Sequence, residues 1–91
     1  MKYYVYVLFS LKDKKLYVGF STELKSRPTE HTQGKCRSTK ARRPLKLVHY
    51  EYFVNRKEAE TREEFLKSGY GRRQLKKFLK DTLSSLSYKD L

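Results

Sequence analysis

The stretch "YYVYVLFSLKDKKLYVGFS", Tyr3 to Ser21, decides the fold. Tyr3 to Phe9 is a run of β-branched, aromatic and aliphatic residues and reads as a strand. Alternation puts Tyr3, Val5, Val7 and Phe9 on one face and Tyr4, Tyr6 and Leu8 on the other, so both faces are apolar. A strand of that kind is covered on both sides, which places it in the middle of a sheet. "LKDKK" is a turn, and Leu16 to Ser21 is the returning strand of a hairpin. With Ser10 opposite Lys15, Leu8 faces Tyr17 and Tyr6 faces Gly19. Tyr6, Tyr17 and the bare Gly19 then line one surface, in a register that a slip of one residue would undo.

Moving outward, Thr22 can cap a helix from Glu23 to about Gln33. Pro28 lies inside it, so the helix either kinks or begins later, with Ser26 as its cap. Gly34 to Pro44 is a polar loop carrying Lys35, Arg37, Lys40, Arg42 and Arg43. Leu45 to Phe53 is a third strand. Asn55 followed by Glu58 starts a helix that runs to about Ser68, where Gly69 and Gly71 stop it. A last helix from about Arg72 carries a stripe of Leu75, Phe78, Leu79 and Leu83. The order is β-β-α-β-α-α: an α+β domain over residues 1–83, with a small three-stranded antiparallel sheet flanked by three helices. Residues 84–91 read as a short polar tail. No repeat, linker or second domain is visible.

Composition narrows the function. The chain has 91 residues, enough for one domain, and 22 Lys and Arg against 10 Asp and Glu, a net charge of +12. Solubility of a small domain needs a magnitude of only about 2–8. The excess points to a polyanionic partner, with nucleic acid the natural one. A single cysteine, Cys36, excludes an internal disulfide and fits a reducing cytoplasm. It sits in the basic loop and reads as a bystander. The apolar run at the N-terminus is too short to span a membrane and lacks a cleavage site, so a cytoplasmic protein with no membrane partner is expected.

Some residues are not explained by packing. Glu63 lies four after Ala59 and three before Leu66, at the edge of a helical apolar stripe. A carboxylate there needs a metal, a cation or a hydrogen-bond donor. An ordinary ion pair with Lys67, four residues on, satisfies it as well as a metal does. Arg27 and His31 share a face if their segment is helical. Arginine suits a phosphate through its planar fork, tyrosine near a cation can act as a base, and glutamate can hold a divalent ion. Together these are parts for phosphodiester hydrolysis. His31 and His49 have no zinc spacing, and neither a phosphate-binding glycine loop nor a Ser-His-Asp set is present.

The chain resembles the GIY-YIG nucleases. Tyr4-Val5-Tyr6 is similar to their first motif and Tyr17-Val18-Gly19 to their second, with an eleven-residue step from Tyr6 to Tyr17. Arg27 four before His31, and Glu63 in "EAETREEFLK", match the later motifs. "STKARRPLKLVHYEYF" resembles the connecting loop and third strand of small single-domain members. The resemblance covers Tyr3 to about Lys80. Tyr4 stands where the family name has glycine, valines replace isoleucines, Pro28 follows Arg27 where an aliphatic residue is usual, and Thr32 follows His31 where asparagine is common.

The resemblance implies a metal-dependent endonuclease acting on nucleic acid, with DNA expected over RNA. It implies one divalent ion, Mg²⁺ or Mn²⁺, on Glu63. Tyr6 is then the general base, Tyr17 positions or assists the water, Arg27 binds the scissile phosphate and His31 hydrogen-bonds within the site. Lys35, Arg37, Lys40, Arg42 and Arg43 are expected to track phosphates. Many family members carry a separate DNA-binding domain, so here substrate choice falls to the basic loop or to a protein partner. Two rivals stand beside this reading: a non-catalytic nucleic-acid-binding domain, and a basic partner subunit of another nuclease.

Overall fold

The computed structural model describes residues 1–89, with side chains described to Leu86. Strand β1 spans Tyr3–Ser10, β2 Leu16–Ser21 and β3 Leu45–Phe53. Helix α1 spans Ser26–Thr32, α2 Arg56–Lys67, α3 Gly69–Phe78 and α4 Lys80–Lys89, and a 3₁₀ turn covers Lys40–Arg42. The fold is α+β, with one antiparallel sheet in the order β2-β1-β3. β1 is central, as its two apolar faces require. Among the described residues no helix is long and apolar enough to cross a membrane.

The hairpin has the expected register: Tyr6 pairs with Gly19 and Leu8 with Tyr17. Its turn is closed by the Ser10 N–H, which donates to the Lys15 carbonyl at 3.0 Å. The Ser10 hydroxyl accepts from the Lys12 and Asp13 N–H groups at 3.2 and 3.0 Å, and Lys14 takes the left-handed conformation at φ 61°. On the other side of β1, pairing shifts between Val7 and Leu8, whose partners are His49 and Leu47. Val48 is left unmatched, a β-bulge in the edge strand β3.

Alternation along β1 feeds two cores. Val5, Val7 and Phe9 join Leu16 and Val18 on the face covered by α2 and α3, which contribute Ala59, Leu66 and Leu75, with Leu79 just beyond. Tyr6 and Leu8 join Leu45 on the opposite face, with Tyr17 and Leu24 packed against them. The first core holds the domain together by area. The second is small and carries polar groups.

The helices differ from the sequence reading at their ends. Asn55 caps α2 as expected, accepting the Glu58 N–H at 3.0 Å. The stop at its far end is Ser68, not the glycines: Ser68 ends α2 and its hydroxyl caps α3 by accepting the Gly71 N–H at 3.1 Å. Gly69 and Gly71 both lie inside α3. A Cβ on Gly71 would overlap the Phe65 carbonyl oxygen, so this glycine lets α3 press against the end of α2. The stretch expected as one helix from Arg72 is two, α3 and α4, because Leu79 leaves helical geometry at φ −98° and ψ 20°. The break keeps Leu79 in the core with Leu75, while Leu83 and Leu86 pack against it from α4. Phe78, expected on the stripe, is instead 73% exposed. Residues 84–89, expected as tail, continue α4, and residues 90–91 lie outside the described residues.

The two glycines of α3 make a paired test. Gly71→Ala is expected to cost about 1–3 kcal/mol through overlap with Phe65. Gly69→Ala, whose Cβ would meet only Arg73 Nη1 at 3.6 Å, is expected to stay within about 0.5 kcal/mol of the parent. Urea unfolding of the three proteins checks this, and equal stabilities would remove the helix-approach account.

Candidate active site

The site is built on the face of β1 that carries Tyr6. Tyr6 is 1% exposed. Gly19, its partner on β2, has no side chain, and a Cβ there would overlap the Tyr6 ring and hydroxyl. The glycine is what allows the tyrosine to lie across the neighbouring strand with its hydroxyl directed beyond it.

Helix α1 brings the histidine to that hydroxyl. Pro28 does not kink the helix. It sits in the first turn, where an N–H has no intrahelical partner in any case, so no bond is lost. The helix begins at Ser26 and not at Glu23, and the residue before it, Lys25, makes no side-chain cap. Pro28 and His31, three apart, form the buried side of the helix. His31 Nε2 lies 3.0 Å from the Tyr6 hydroxyl, and Nδ1 lies 2.7 Å from the Thr39 hydroxyl. The Tyr17 ring, half-buried, lies against the imidazole with centroids 4.7 Å apart. Arg27, one turn before His31, is exposed. It donates to Glu30 at 3.0 Å, and its charge acts on the Tyr6 phenol and the His31 imidazole.

These contacts set the protonation. Burial pushes the Tyr6 phenol well above its ordinary value, and the Tyr17 phenol beside it adds to the rise, while the Arg27 guanidinium opposes it. Burial and then Arg27 lower His31, so at neutral pH the imidazole is uncharged. The enclosed Tyr6 hydroxyl has Nε2 of the neutral imidazole as its hydrogen-bond partner and donates to it, which leaves Nδ1–H to donate to the Thr39 oxygen.

Tyr6, Tyr17, Arg27 and His31 thus meet in one cluster. Glu63 is carried by α2, and its carboxylate pairs with Lys67 Nζ at 2.9 Å. Among the described residues no hydrogen bond or ion pair links it to the other four. Its side chain is only 20% exposed, against 50% for the lysine, so the carboxylate is partly sheltered while its partner is free to leave. No group of three His, Cys, Asp or Glu side chains that could hold a metal occurs among the described residues. One carboxylate suits an ion held mostly by water and phosphate oxygens, and Mg²⁺ is commonly bound in that manner.

The basic loop divides into two kinds of residue. Arg42 donates from Nε to Asp13 at 2.7 Å and its carbonyl accepts from the Ser10 hydroxyl at 2.6 Å, so it anchors the loop to the hairpin turn. The same hydrogen bond holds the Asp13 carboxyl below its ordinary value. Arg43 donates to the Lys40 carbonyl at 3.3 Å and lies over Gly34, whose φ of +77° ends α1. Lys35, Arg37 and Lys40 are exposed. The sequence reading missed Thr39. A threonine within "CRSTKARR" has no spacing signal, and only its burial under His31 distinguishes it.

The chain matches the family model of the GIY-YIG catalytic domain over residues 2–77. A UPF0213 protein of Clostridium perfringens is 42% identical over 65 residues, 70% of this chain and 69% of that protein. A UPF0213 protein of Staphylococcus haemolyticus is 38% identical over 88% of this chain and 96% of its own length. The solution NMR structure of a UPF0213 protein from Bacillus halodurans superposes with a TM-score of 0.55 at 33% identity, covering 86% of this chain and 85% of the other. With the family match over most of its length and relatives this close, the chain belongs to the GIY-YIG catalytic domain family.

Proposed function

We propose that this domain is a metal-dependent endonuclease that hydrolyses phosphodiester bonds in DNA. The observation that carries the reading is the buried chain from Tyr6 through His31 to Thr39, with the exposed Arg27 beside its outer end. Tyr6 is protonated at rest and can act as a base only if its own proton has a place to go. His31 Nε2 supplies that place. As the Tyr6 oxygen takes a proton from water, its phenolic proton passes to Nε2, and the resulting imidazolium is steadied through Nδ1–H by Thr39. Tyr17, packed on the imidazole, orients the attacking water. Arg27 needs only to exchange a surface pairing with Glu30 for a phosphate oxygen, which its fork fits better. Glu63 would hold Mg²⁺ or Mn²⁺ once Lys67 swings away, and a divalent ion there supplies Lewis-acid stabilisation of charge on the phosphate and the leaving oxygen. Lys35, Arg37 and Lys40 would track the adjacent backbone. A lone thiol suits the cytoplasm. The rival of a non-catalytic binding domain is favoured by one observation, the Glu63 carboxylate being taken up by Lys67 at 2.9 Å.

Cleavage separates the two. With Mg²⁺ or Mn²⁺ and a mixed set of single-stranded, duplex and branched DNA, the parent is expected to cut. Tyr6→Phe and Glu63→Gln are expected to bind as the parent does and to lose roughly 10²-fold or more in rate. A parent that binds and cuts nothing under either metal would put the binding domain ahead, and equal cutting by Glu63→Gln would refute the metal assignment.

Acidity gives an independent check. The relay needs a neutral Nε2, so cleavage should fall as His31 gains a proton. Because His31 is lowered from its ordinary value of about 6.5, that fall should lie on the acid side, with a flat rate across neutrality. A profile of single-turnover rates that rises through neutrality would count against it.

Binding should follow the division within the loop. Neutralising Lys35, Arg37 and Lys40 together should flatten the plot of log affinity against log salt by up to about 0.9 for each phosphate they had neutralised. Arg42→Gln should instead lower the unfolding midpoint and leave the slope near the parent's. An unchanged slope in the triple variant would remove the loop from the footprint.

A further inference from the structure

The sheet face that carries Tyr6 is covered only in part. Helix α1 and Leu24 lie over Leu8, Tyr17 and the start of β3. The other end of the face is open and holds three more tyrosines. Tyr4 pairs across the sheet with Tyr52, and Tyr6 pairs with Tyr50. The Tyr4 ring stands 5.7 Å from Tyr52 and 6.2 Å from Tyr50, tilted or edge-on to each. Tyr50 is 51% exposed and Tyr52 52% exposed. None of the three hydroxyls makes a hydrogen bond among the described residues. Tyr3, one residue away on the opposite face, shows the contrast: it stacks on Phe20 against the main core.

We propose that Tyr4, Tyr50 and Tyr52 form a stacking platform for the unpaired bases of a DNA strand whose backbone enters the Tyr6 cluster. Aromatic faces exposed beside one another on a sheet accept bases in any sequence, because every base presents a π-face. In a duplex those faces are already occupied by neighbouring base pairs, so the platform suits an unpaired strand. Electrostatics agree. The register puts no carboxylate on this face of any strand, and Glu51, the nearest on β3, points to the helix side, where Arg62 holds it at 2.9 Å. Exposed cations border the face at Lys2 and Arg27, within a chain of net charge +12. DNA is the occupant on the nuclease reading proposed above, in which the Tyr6–His31 pair activates a water as the nucleophile.

This deepens the nuclease reading by naming its substrate form, and it is tested without cleavage. Labelled oligothymidylate, the same strand with abasic sites, a duplex and oligouridylate are titrated by fluorescence anisotropy in chelator. The parent is expected to bind oligothymidylate on the order of tenfold or more tighter than the abasic strand. Tyr50→Ala with Tyr52→Ala should erase that difference while leaving abasic binding unchanged. Tyr50→Phe with Tyr52→Phe, which keeps both ring faces, should retain it. Tyr50→Leu with Tyr52→Leu keeps a residue suited to a strand and should behave as the alanines do. Equal binding of intact and abasic strands by the parent would overturn the proposal. So would base-dependent binding that survives in the leucine variant, or tighter binding of duplex or of oligouridylate. If cleavage assays fail and base-dependent binding persists, the nuclease reading falls alone. If cleavage occurs without base dependence, the platform falls alone.

Discussion

Everything in this domain depends on β1 being buried on both faces. One strand supplies Val5, Val7 and Phe9 to the main core and, from the alternate positions, Tyr6 and Leu8 to the other side of the sheet. The apolar side is rigid because α2 and α3 are pressed on it, and that rigidity passes through the backbone to Tyr6. A tyrosine hydroxyl aimed at a histidine from a loop could wander. Aimed from a central strand, with Gly19 clearing its path and His31 at 3.0 Å, it cannot move without disturbing the core behind it.

The polar side has a different construction. Helix α1 is short, has no side-chain cap and starts with a proline in its first turn. Its position comes from its contacts: Pro28 and His31 are buried, and the loop that follows folds back to place Thr39 on the imidazole. That loop is tied to the hairpin turn by the Ser10 and Arg42 contacts and by the Leu11 N–H, which donates to the Pro44 carbonyl at 2.8 Å. The turn between β1 and β2 therefore does more than connect strands. It fixes the far end of the segment that supports His31.

What was legible in the sequence was what depends on local pattern. The two-faced run of β1 put it in the middle of the sheet. The hairpin register followed from turn length, which by itself brings Tyr6 opposite Gly19. Arg27 and His31 at helical spacing were also readable. Helix ends were less so, because Ser68 as a shared cap and the bend at Leu79 depend on how α2, α3 and α4 pack, which no single segment encodes. Thr39 was illegible for a similar reason: its role is set by a contact across eight residues of irregular chain. The five basic residues of the loop looked alike in sequence, and only tertiary contacts separate Arg42, which holds structure, from Lys35, Arg37 and Lys40, which face solvent.

The Tyr6–His31–Thr39 chain has a further consequence for what has shaped this sequence. All three side chains are almost completely enclosed, and each gives up water for a single partner or two. Apolar groups of matching shape would fill that space with no hydroxyl or imidazole to desolvate, and such exchanges are commonly neutral or stabilising when all partners are replaced together. Thermodynamic stability alone would therefore not keep a phenol, an imidazole and a threonine in contact inside so small a core. Their joint presence marks a place where the domain gives up stability to hold polar groups in contact.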